Sequence, residues 1–205
     1  RKNRGHAFCE NIDELGSVSD GGFAPYCVVP GRFLIKAPDH LSLSEVAMAE
    51  PLANAIEAVQ SPDIKLGERV VIIGPGAIGL MAVQVARLAN PSVLVLVGTW
   101  DERLALGKQF GATHTVNIKK EGALEKLKEI LDGKGADVTI ECAGTISAVE
   151  LAQEITAWRG RIALEGTHDV GDTIKGTVSW SNMMTINGWS SAGFQQALEL
   201  IAGGL

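Results

Sequence analysis

The segment VVIIGPGAIGLM, residues 70–81, decides the fold of this chain. Its first four residues are apolar and mostly β-branched, which is typical of a buried parallel strand. A Gly-x-Gly-x-x-Gly turn follows, and residues 77–88 then place apolar side chains at helical spacing. A strand, a glycine turn and a helix in this order predict a dinucleotide-binding unit.

Each glycine of the turn has a predicted role. Gly74 permits the tight bend, Gly76 lets a diphosphate approach the backbone, and Gly79 lets the helix pack against the strand. The helix N-terminus adds free N–H groups and a partial positive charge. The alternative is a glycine-rich βα turn without a ligand. The predicted contact residues are Gly74, Pro75, Gly76, Ala77, Ile78 and Gly79.

The composition bounds the class of protein. Of the 205 residues, 46% are hydrophobic and 20% are charged, which is typical of a globular chain with a sizeable core. The net charge of −6 argues against nucleic acid or an anionic membrane as the main partner. The apolar runs are shorter than the ~20 residues of a membrane helix. Cys9, Cys27 and Cys142 are widely spaced and odd in number, which favours a reducing, cytoplasmic location over a disulfide framework.

Strands and helices alternate after Glu68. The predicted strands are 70–73, 93–97, 114–117, 137–141, 161–164 and 185–187, and the predicted helices are 77–88, 101–110, 121–131, 146–158 and 194–201. Repeated βα units indicate an α/β fold, a Rossmann-type doubly wound parallel sheet with right-handed crossovers. A dinucleotide fold implies the strand order 3-2-1-4-5-6, with the cofactor across the carboxyl ends of the strands.

The first 60 residues have a different pattern. Residues 1–19 are polar without a clear period, and residues 23–35 predict short strands with a turn at 30–31. Ser42 or Ser44 is expected to cap a helix over 45–49, which Pro51 breaks or restarts before 52–59. We therefore predict a domain of residues 1–60 and a cofactor domain of residues 61–205.

The end of the second core strand should determine the form of the cofactor. An NAD site usually has an acid there for the adenosine ribose, but this chain has Gly98. Thr99 can donate a hydrogen bond and Arg103 can supply positive charge to a 2′-phosphate. This pattern favours NADP over NAD, although Arg103 is also explained as a solvated helix residue. Asp101 is expected to cap the next helix.

Four further segments carry a resemblance to a known superfamily. They are DGGFAPY at 20–26, AEPLA at 49–53, ERLALGKQFGATH at 102–114 and ECAG at 141–144. Together with the glycine turn, they resemble the medium-chain dehydrogenase/reductase superfamily, and within it the zinc-dependent polyol and threonine dehydrogenases. The resemblance extends over almost the whole chain.

The resemblance implies that residues 1–60 are part of a β-rich, GroES-like catalytic domain. It also implies a catalytic zinc held by a Cys, a His-Glu pair and a Glu, of which Glu50 matches the last. Cys9 matches one of the four cysteines of a structural zinc lobe. The histidines do not match the family's ligands and are expected in loops or at the surface: His6, His40, His114 and His168. We therefore expect an internal piece of a longer dehydrogenase, with both zinc sites incomplete.

The resemblance further implies two segments that line the nicotinamide. The first is Cys142, Ala143 and Gly144, and the second is Leu164, Glu165 and Gly166. Cys142 is interpreted as a small core residue rather than a reactive thiol. Glu165 departs from the family's apolar residue, and its carboxyl group either meets the carboxamide or turns to solvent.

The implied activity is hydride transfer between NAD(P) and an alcohol or polyol, or its carbonyl, assisted by zinc in the full-length protein. The implied partners are a small-molecule substrate and further copies of the chain in a homodimer or homotetramer. One alternative is a zinc-free quinone or enoyl reductase of the same superfamily. Another is a nucleotide-binding module without catalysis.

Overall fold

The computed structural model describes residues 15–16, 18–166, 182–185 and 192–205 of the chain. The strands are β1 (Arg69–Ile73), β2 (Val93–Gly98), β3 (His114–Asn117), β4 (Ala136–Glu141), β5 (Thr156–Leu164) and β6 (Asn182–Thr185). The helices are α1 (Leu43–Ala47), α2 (Ala49–Gln60), α3 (Ala77–Arg87), α4 (Asp101–Gln109), α5 (Ala123–Ile130), α6 (Ile146–Ile155) and α7 (Ala192–Ala202).

The six strands form one parallel sheet in the order β3-β2-β1-β4-β5-β6. This confirms the predicted Rossmann topology. The chain order reverses beside β1, which lies between β2 and β4. In such a sheet, ligands bind outside the carboxyl ends of the strands at this reversal. The ends of β1, β2 and β4 are Ile73, Gly98 and Glu141.

Alternate residues of the strands pack on opposite faces of the sheet, because side chains along a strand alternate in direction. Val70 and Ile72 of β1 belong to a core shared with α2, α3 and α7. Val71 and Ile73 belong to a second core shared with α5 and α6. Both faces are therefore covered, which explains why β1 is apolar at four consecutive positions.

Helix α2 is part of the first of these cores. Ala55 and Ala58 have no exposed surface and Ile56 retains 2%. These residues pack in the same cluster as α3 and α7. The helix that carries Glu50 is thus attached directly to the cofactor sheet.

The strands predicted within residues 23–35 are wrong. The described part of this segment contains a 3₁₀ helix, Gly31–Phe33, and no strand. Phe23, Tyr26 and Val28 are almost completely exposed. A β-prone segment needs a partner strand to form a ladder, and none of the described strands lies beside it.

The predicted cap at the first helix is confirmed at Ser42. The Ser42 side chain accepts the Glu45 N–H, and the Glu45 carboxylate accepts the Ser42 N–H at 2.7 Å, which forms a capping box. The interruption between the helices falls at Met48 rather than at Pro51. Pro51 is the third residue of α2, where its missing N–H has no helical acceptor to lose.

The junction between α6 and β5 also differs from the prediction. Helix α6 ends at Ile155, and residues 156–160 join the strand instead of the helix. The strand is irregular there, with a register shift opposite β4 and a positive φ of 66° at Arg159. This irregularity hides the two-residue period on which a strand prediction depends.

The other predicted elements agree with the structure to within three residues. The predicted sixth strand, 185–187, is observed at 182–185, and residues 186–187 lie outside the described residues. Most of the polar segment 1–19 lies outside them too. In the described part of the chain, none of the helices is both long and apolar enough to span a membrane.

An ion pair joins the amino ends of β1 and β4, at the opposite end of these strands from the candidate site. Asp137 accepts the Arg69 backbone N–H at 2.8 Å and guanidinium hydrogen bonds at 2.8 and 3.0 Å. The two side chains are 16% and 31% exposed. The hydrogen bonds from the Arg69 side chain are the main reason that the pKa of Asp137 lies below its ordinary value.

We expect Asp137→Ala to lower the free energy of unfolding by about 2 kcal/mol, because it leaves a partly buried guanidinium without its carboxylate partner. Urea denaturation measures this change. Asp39→Ala is the control, since its ion pair with Lys36 is 80–85% exposed and should contribute less than about 0.5 kcal/mol. Equal effects of the two substitutions would contradict this assignment.

Candidate functional site

The turn between β1 and α3 is built from close backbone contacts. Gly74 has a φ of +105°, and its N–H donates to the Val97 carbonyl at 2.9 Å. A Cβ at Gly74 would lie 2.8 Å from the Ala143 backbone nitrogen. A Cβ at Gly79 would lie 1.9 Å from the Gly74 carbonyl oxygen. Side chains at these two positions are therefore excluded by the protein itself.

Gly76 differs from its neighbours in the turn. A Cβ there would meet no protein atom within 4 Å. Gly76 is also the N-cap of α3 and offers no side chain to the first free N–H groups of the helix. These N–H groups and the space beside them fit a diphosphate group. The structure thus brings the predicted residues 74–79 together in one turn at the carboxyl end of β1.

The end of β2 lies against this turn. Gly98 is buried, and a Cβ there would lie 2.4 Å from Cγ of Pro75. Thr99 is partly buried, whereas Trp100 and Arg103 are exposed. The Arg103 guanidinium carbon lies 5.9 Å from the centre of the Trp100 ring. The predicted residues Gly98, Thr99 and Arg103 are therefore close together, beside an exposed aromatic ring.

The prediction that Asp101 caps α4 is wrong. The N-cap is Trp100, and Asp101 is the first helical residue. The Asp101 carboxylate instead accepts hydrogen bonds from Asn117 Nδ2 and Lys120 Nζ, both at 2.9 Å. Both hydrogen bonds lower the pKa of Asp101, and the bond from Asn117 has the larger effect. The carboxylate is thus held by β3 and the residues that follow it.

Glu141 belongs to the segment 141–144 that the sequence analysis identified, but its own role was not predicted. Its side chain is fully buried, and Oε1 accepts the N–H groups of Ala143 at 2.6 Å and Gly144 at 2.8 Å. Its main-chain carbonyl accepts the N–H groups of Glu165 at 2.9 Å and Gly166 at 3.0 Å. One residue therefore holds both predicted nicotinamide segments, 142–144 and 164–166. The available signal was a carboxylate at the end of a buried strand.

Two groups in these segments have raised pKa values. Burial, followed by the charges of Glu165 and Glu141, raises the pKa of the Cys142 thiol well above its ordinary value. A neutral thiol is a poor nucleophile, which favours the interpretation of Cys142 as a packing residue. Burial raises the pKa of Glu165 to about 8, and Glu57, Glu50 and Glu141 add to the effect in that order.

Oxygen Oε2 of Glu165 is inaccessible to solvent and has no hydrogen-bond partner among the described residues. The side chain as a whole is half-buried. This carboxyl group does not simply turn to solvent. It lies at the carboxyl end of β5, within electrostatic range of Glu50 and Glu57 on α2.

Glu50 lies in the first turn of α2, is exposed, and accepts a hydrogen bond from Asn54 Nδ2 at 2.9 Å. Over the described ranges, no three His, Cys, Asp or Glu side chains are grouped as metal ligands. His40 and His114 are exposed. The described residues therefore do not by themselves fit a zinc ion. Cys9, His6 and His168 lie outside the described residues.

Three further residues contact Arg103 or Asp101 and had no predicted role in the site: Trp100, Asn117 and Lys120. Trp100 follows the strand end directly, so an exposed aromatic residue there was a usable signal. Asn117 and Lys120 act through contacts with Asp101, from β3 and just beyond it. Contacts of this kind depend on strand pairing, and a single sequence does not display them.

Comparison with known proteins finds relatives in sequence and in structure. The sequence profile described as "Zinc-binding dehydrogenase" matches residues 77–203. A Haemophilus influenzae protein described as an uncharacterized zinc-type alcohol dehydrogenase-like protein is 33% identical over 196 residues, 95% of this chain and 57% of that protein. The sorbitol dehydrogenase of Bacillus subtilis is 34% identical over 159 residues, 77% of this chain and 45% of that enzyme. The chain thus spans about half the length of these curated relatives.

A solved structure is similar over nearly the whole chain. It is a putative zinc-binding dehydrogenase from Sinorhizobium meliloti bound to NADP, with a TM-score of 0.86 and 29% identity. The match covers 97% of this chain and 60% of that protein.

We expect Glu165→Gln to change how stability depends on pH. Because the folded-state pKa of about 8 exceeds the ordinary value of 4.5, the folded chain retains this proton where the unfolded chain loses it. Wild-type stability should therefore fall as the pH rises from 4.5 through 8. The loss should be about 1–2 kcal/mol, since solvent screens the half-buried group.

Urea denaturation between pH 4 and 9 measures this dependence. The glutamine variant should match the wild type near pH 4 and be the more stable protein at pH 8. Glu125→Gln, on the exposed face of α5, is the matched control and should follow the wild-type curve. Parallel curves for wild type and Glu165→Gln would refute the prediction.

Proposed function

Because the chain belongs to the zinc-binding dehydrogenase family, we propose that the whole protein transfers a hydride between NAD(P) and an alcohol or polyol, or the corresponding carbonyl. The observation that carries this proposal is the space beside Gly76, at the N-terminus of α3, which the protein leaves free of side chains. A nucleotide diphosphate has the size and charge for this position.

The residues of this chain would bind and orient the cofactor. The α3 N–H groups bind the diphosphate, and the segments 142–144 and 164–166 face the nicotinamide. When bound, the nicotinamide ring supplies the hydride chemistry. The Glu141 carboxylate fixes the first segment and its carbonyl fixes the second, so the ring has a defined surface against which to rest.

We propose NADP as the preferred cofactor. Gly98 provides no carboxylate to repel a 2′-phosphate, and Asp101 is neutralised by Lys120. Arg103 is exposed beside Trp100 and is able to reach a phosphate at the adenosine ribose. The NADP bound to the related Sinorhizobium meliloti protein supports this choice.

The proposed substrate is a small alcohol or polyol, which the name of the related sorbitol dehydrogenase supports. Glu50 is proposed as a ligand of a catalytic zinc in the whole protein, and Cys9 as a ligand in a structural zinc lobe.

We also propose the division into two domains that the sequence predicts. Residues 1–60 would form part of a GroES-like catalytic domain, and residues 61–205 the cofactor domain. The exposure of Phe23, Tyr26 and Val28 supports a catalytic part around these residues, because large apolar residues close together in sequence are seldom left uncovered, whereas α2 packs in the core of the cofactor sheet. A homodimer or homotetramer in the cytoplasm would agree with the family resemblance and with the odd number of separated cysteines.

Gly76→Val tests the cofactor site. A valine would fill the space assigned to the diphosphate, so the Kd for NADPH, measured by fluorescence titration, should rise at least about 100-fold. No protein atom lies within 4 Å of the new Cβ, so the unfolding midpoint should fall by only about 2–4 °C.

Gly22→Val is the control, because a Cβ there also meets no protein atom within 4 Å. It should bind NADPH as the wild type does. Unchanged affinity in Gly76→Val would show that the nucleotide lies elsewhere.

Arg103→Ala tests the preference for NADP. Loss of a guanidinium–phosphate contact should weaken NADPH binding about 10- to 100-fold and leave the Kd for NADH nearly unchanged. Lys126→Ala removes the same charge from the exposed surface of α5 and should alter neither constant. Equal weakening of both cofactors by Arg103→Ala would assign the arginine to another part of the nucleotide.

A further inference from the structure

Pro75 and Gly98 occupy adjoining positions at the ends of β1 and β2. A Cβ on Gly98 would lie 2.4 Å from Cγ and 2.5 Å from Cδ of Pro75, and 3.4 Å from Cδ2 of Leu104. Carbon atoms in close contact are normally about 3.5–4.0 Å apart. The proline ring therefore fills the volume into which any side chain at Gly98 would project.

The ring has little freedom to move aside. It is closed onto its own backbone nitrogen, so it does not rotate away as a free side chain does. The backbone beside it is fixed too, because the Gly74 N–H donates to Val97 and the Gly74 Cα faces the Ala143 nitrogen. The Gly74 carbonyl in turn lies against Gly79 of α3. Relief of a clash at residue 98 would need movement of the whole glycine turn.

This packing has a consequence for cofactor choice. A carboxylate at the end of the second strand accepts hydrogen bonds from the ribose of NAD and repels the 2′-phosphate of NADP. The ring of Pro75 prevents the chain from placing a carboxylate there. The next acid, Asp101, is bound to Asn117 and Lys120. Pro75, a residue of the turn proposed to bind the diphosphate, thus determines whether a side chain lies beside the ribose.

We propose that Pro75 is a specificity-determining residue, whose ring keeps the end of β2 free of a side chain and so favours the phosphorylated dinucleotide. This inference rests on the proposed function, because it assumes that the adenosine ribose lies at Gly98. The inference adds that the two positions act together: a substitution at Gly98 reverses the cofactor preference only when Pro75 is also replaced by a smaller residue.

The experiment compares the wild-type chain with Pro75→Ala, Gly98→Asp and the double variant. Alanine removes the two ring atoms, Cγ and Cδ, that obstruct residue 98. Fluorescence titration gives the Kd for NADPH and for NADH at one ionic strength, and thermal unfolding gives the midpoint. All four proteins comprise the same 205 residues.

Gly98→Asp alone should lower the unfolding midpoint by about 5 °C or more and should bind both cofactors poorly. In the double variant the midpoint should recover most of this loss. The ratio of the two dissociation constants should then shift at least about tenfold toward NADH relative to the wild type. The proposal is overturned if Gly98→Asp alone keeps the wild-type midpoint and shifts the ratio as far as the double variant does.

A second pair of variants separates packing from charge. Gly98→Ala introduces a Cβ without a carboxylate, so it should lower the midpoint, and Pro75→Ala/Gly98→Ala should recover it. A wild-type midpoint for Gly98→Ala alone would refute the steric exclusion, whatever the titrations give. If the wild-type chain binds neither NADPH nor NADH, the proposed function fails, and this inference fails with it. If the wild type binds and the couplings are absent, only the inference fails.

Discussion

The backbone of the β1–α3 turn approaches its neighbours more closely than side chains would permit, and the candidate site depends on this constraint. The Gly74 carbonyl rests against Gly79, and the Gly74 Cα rests against the loop that follows β4. These contacts place the N-terminus of α3 at the reversal of strand order. Of the three glycines of the turn, Gly76 is the one beside which space is open. The shape of the turn is thus set by contacts inside the protein, and the position proposed for the diphosphate is the space that these contacts leave.

Glu141 extends the same organisation to the other half of the site. A fully buried carboxylate is costly unless hydrogen bonds compensate for its lost hydration. Oε1 receives two such bonds from the loop after β4. Because the main chain of the same residue binds the loop after β5, both segments move with the end of β4. The two surfaces proposed for the nicotinamide are thereby held at a fixed separation.

The sequence predicted the sheet well because its signals are local and repeated. Each buried strand is short and apolar, and the Gly-x-Gly-x-x-Gly turn identifies β1 directly. The prediction was wrong where the deciding contact is distant in sequence. Residues 23–35 have strand-forming side chains, but none of the described strands pairs with them. The Asp101 side chain binds Asn117 and Lys120 instead of capping its helix. The packing of Pro75 on Gly98 follows from the β1–β2 register, which composition and periodicity do not reveal.

The two ends of the proposed cofactor site differ in charge. Arg103 is exposed at the start of α4, where the adenosine ribose would bind, whereas Lys120 nearby is paired with Asp101. Glu141 and Glu165 lie at the ends of β4 and β5, and Glu50 and Glu57 of α2 are within electrostatic range of Glu165. Burial and these neighbouring carboxylates raise the pKa of Glu165 to about 8, so a cationic nicotinamide ring beside it would favour its ionised form. Since charge complementarity favours one orientation of a charged ligand over the reverse, Arg103 and the acidic groups would select the same direction for the cofactor across the sheet as the glycine turn does.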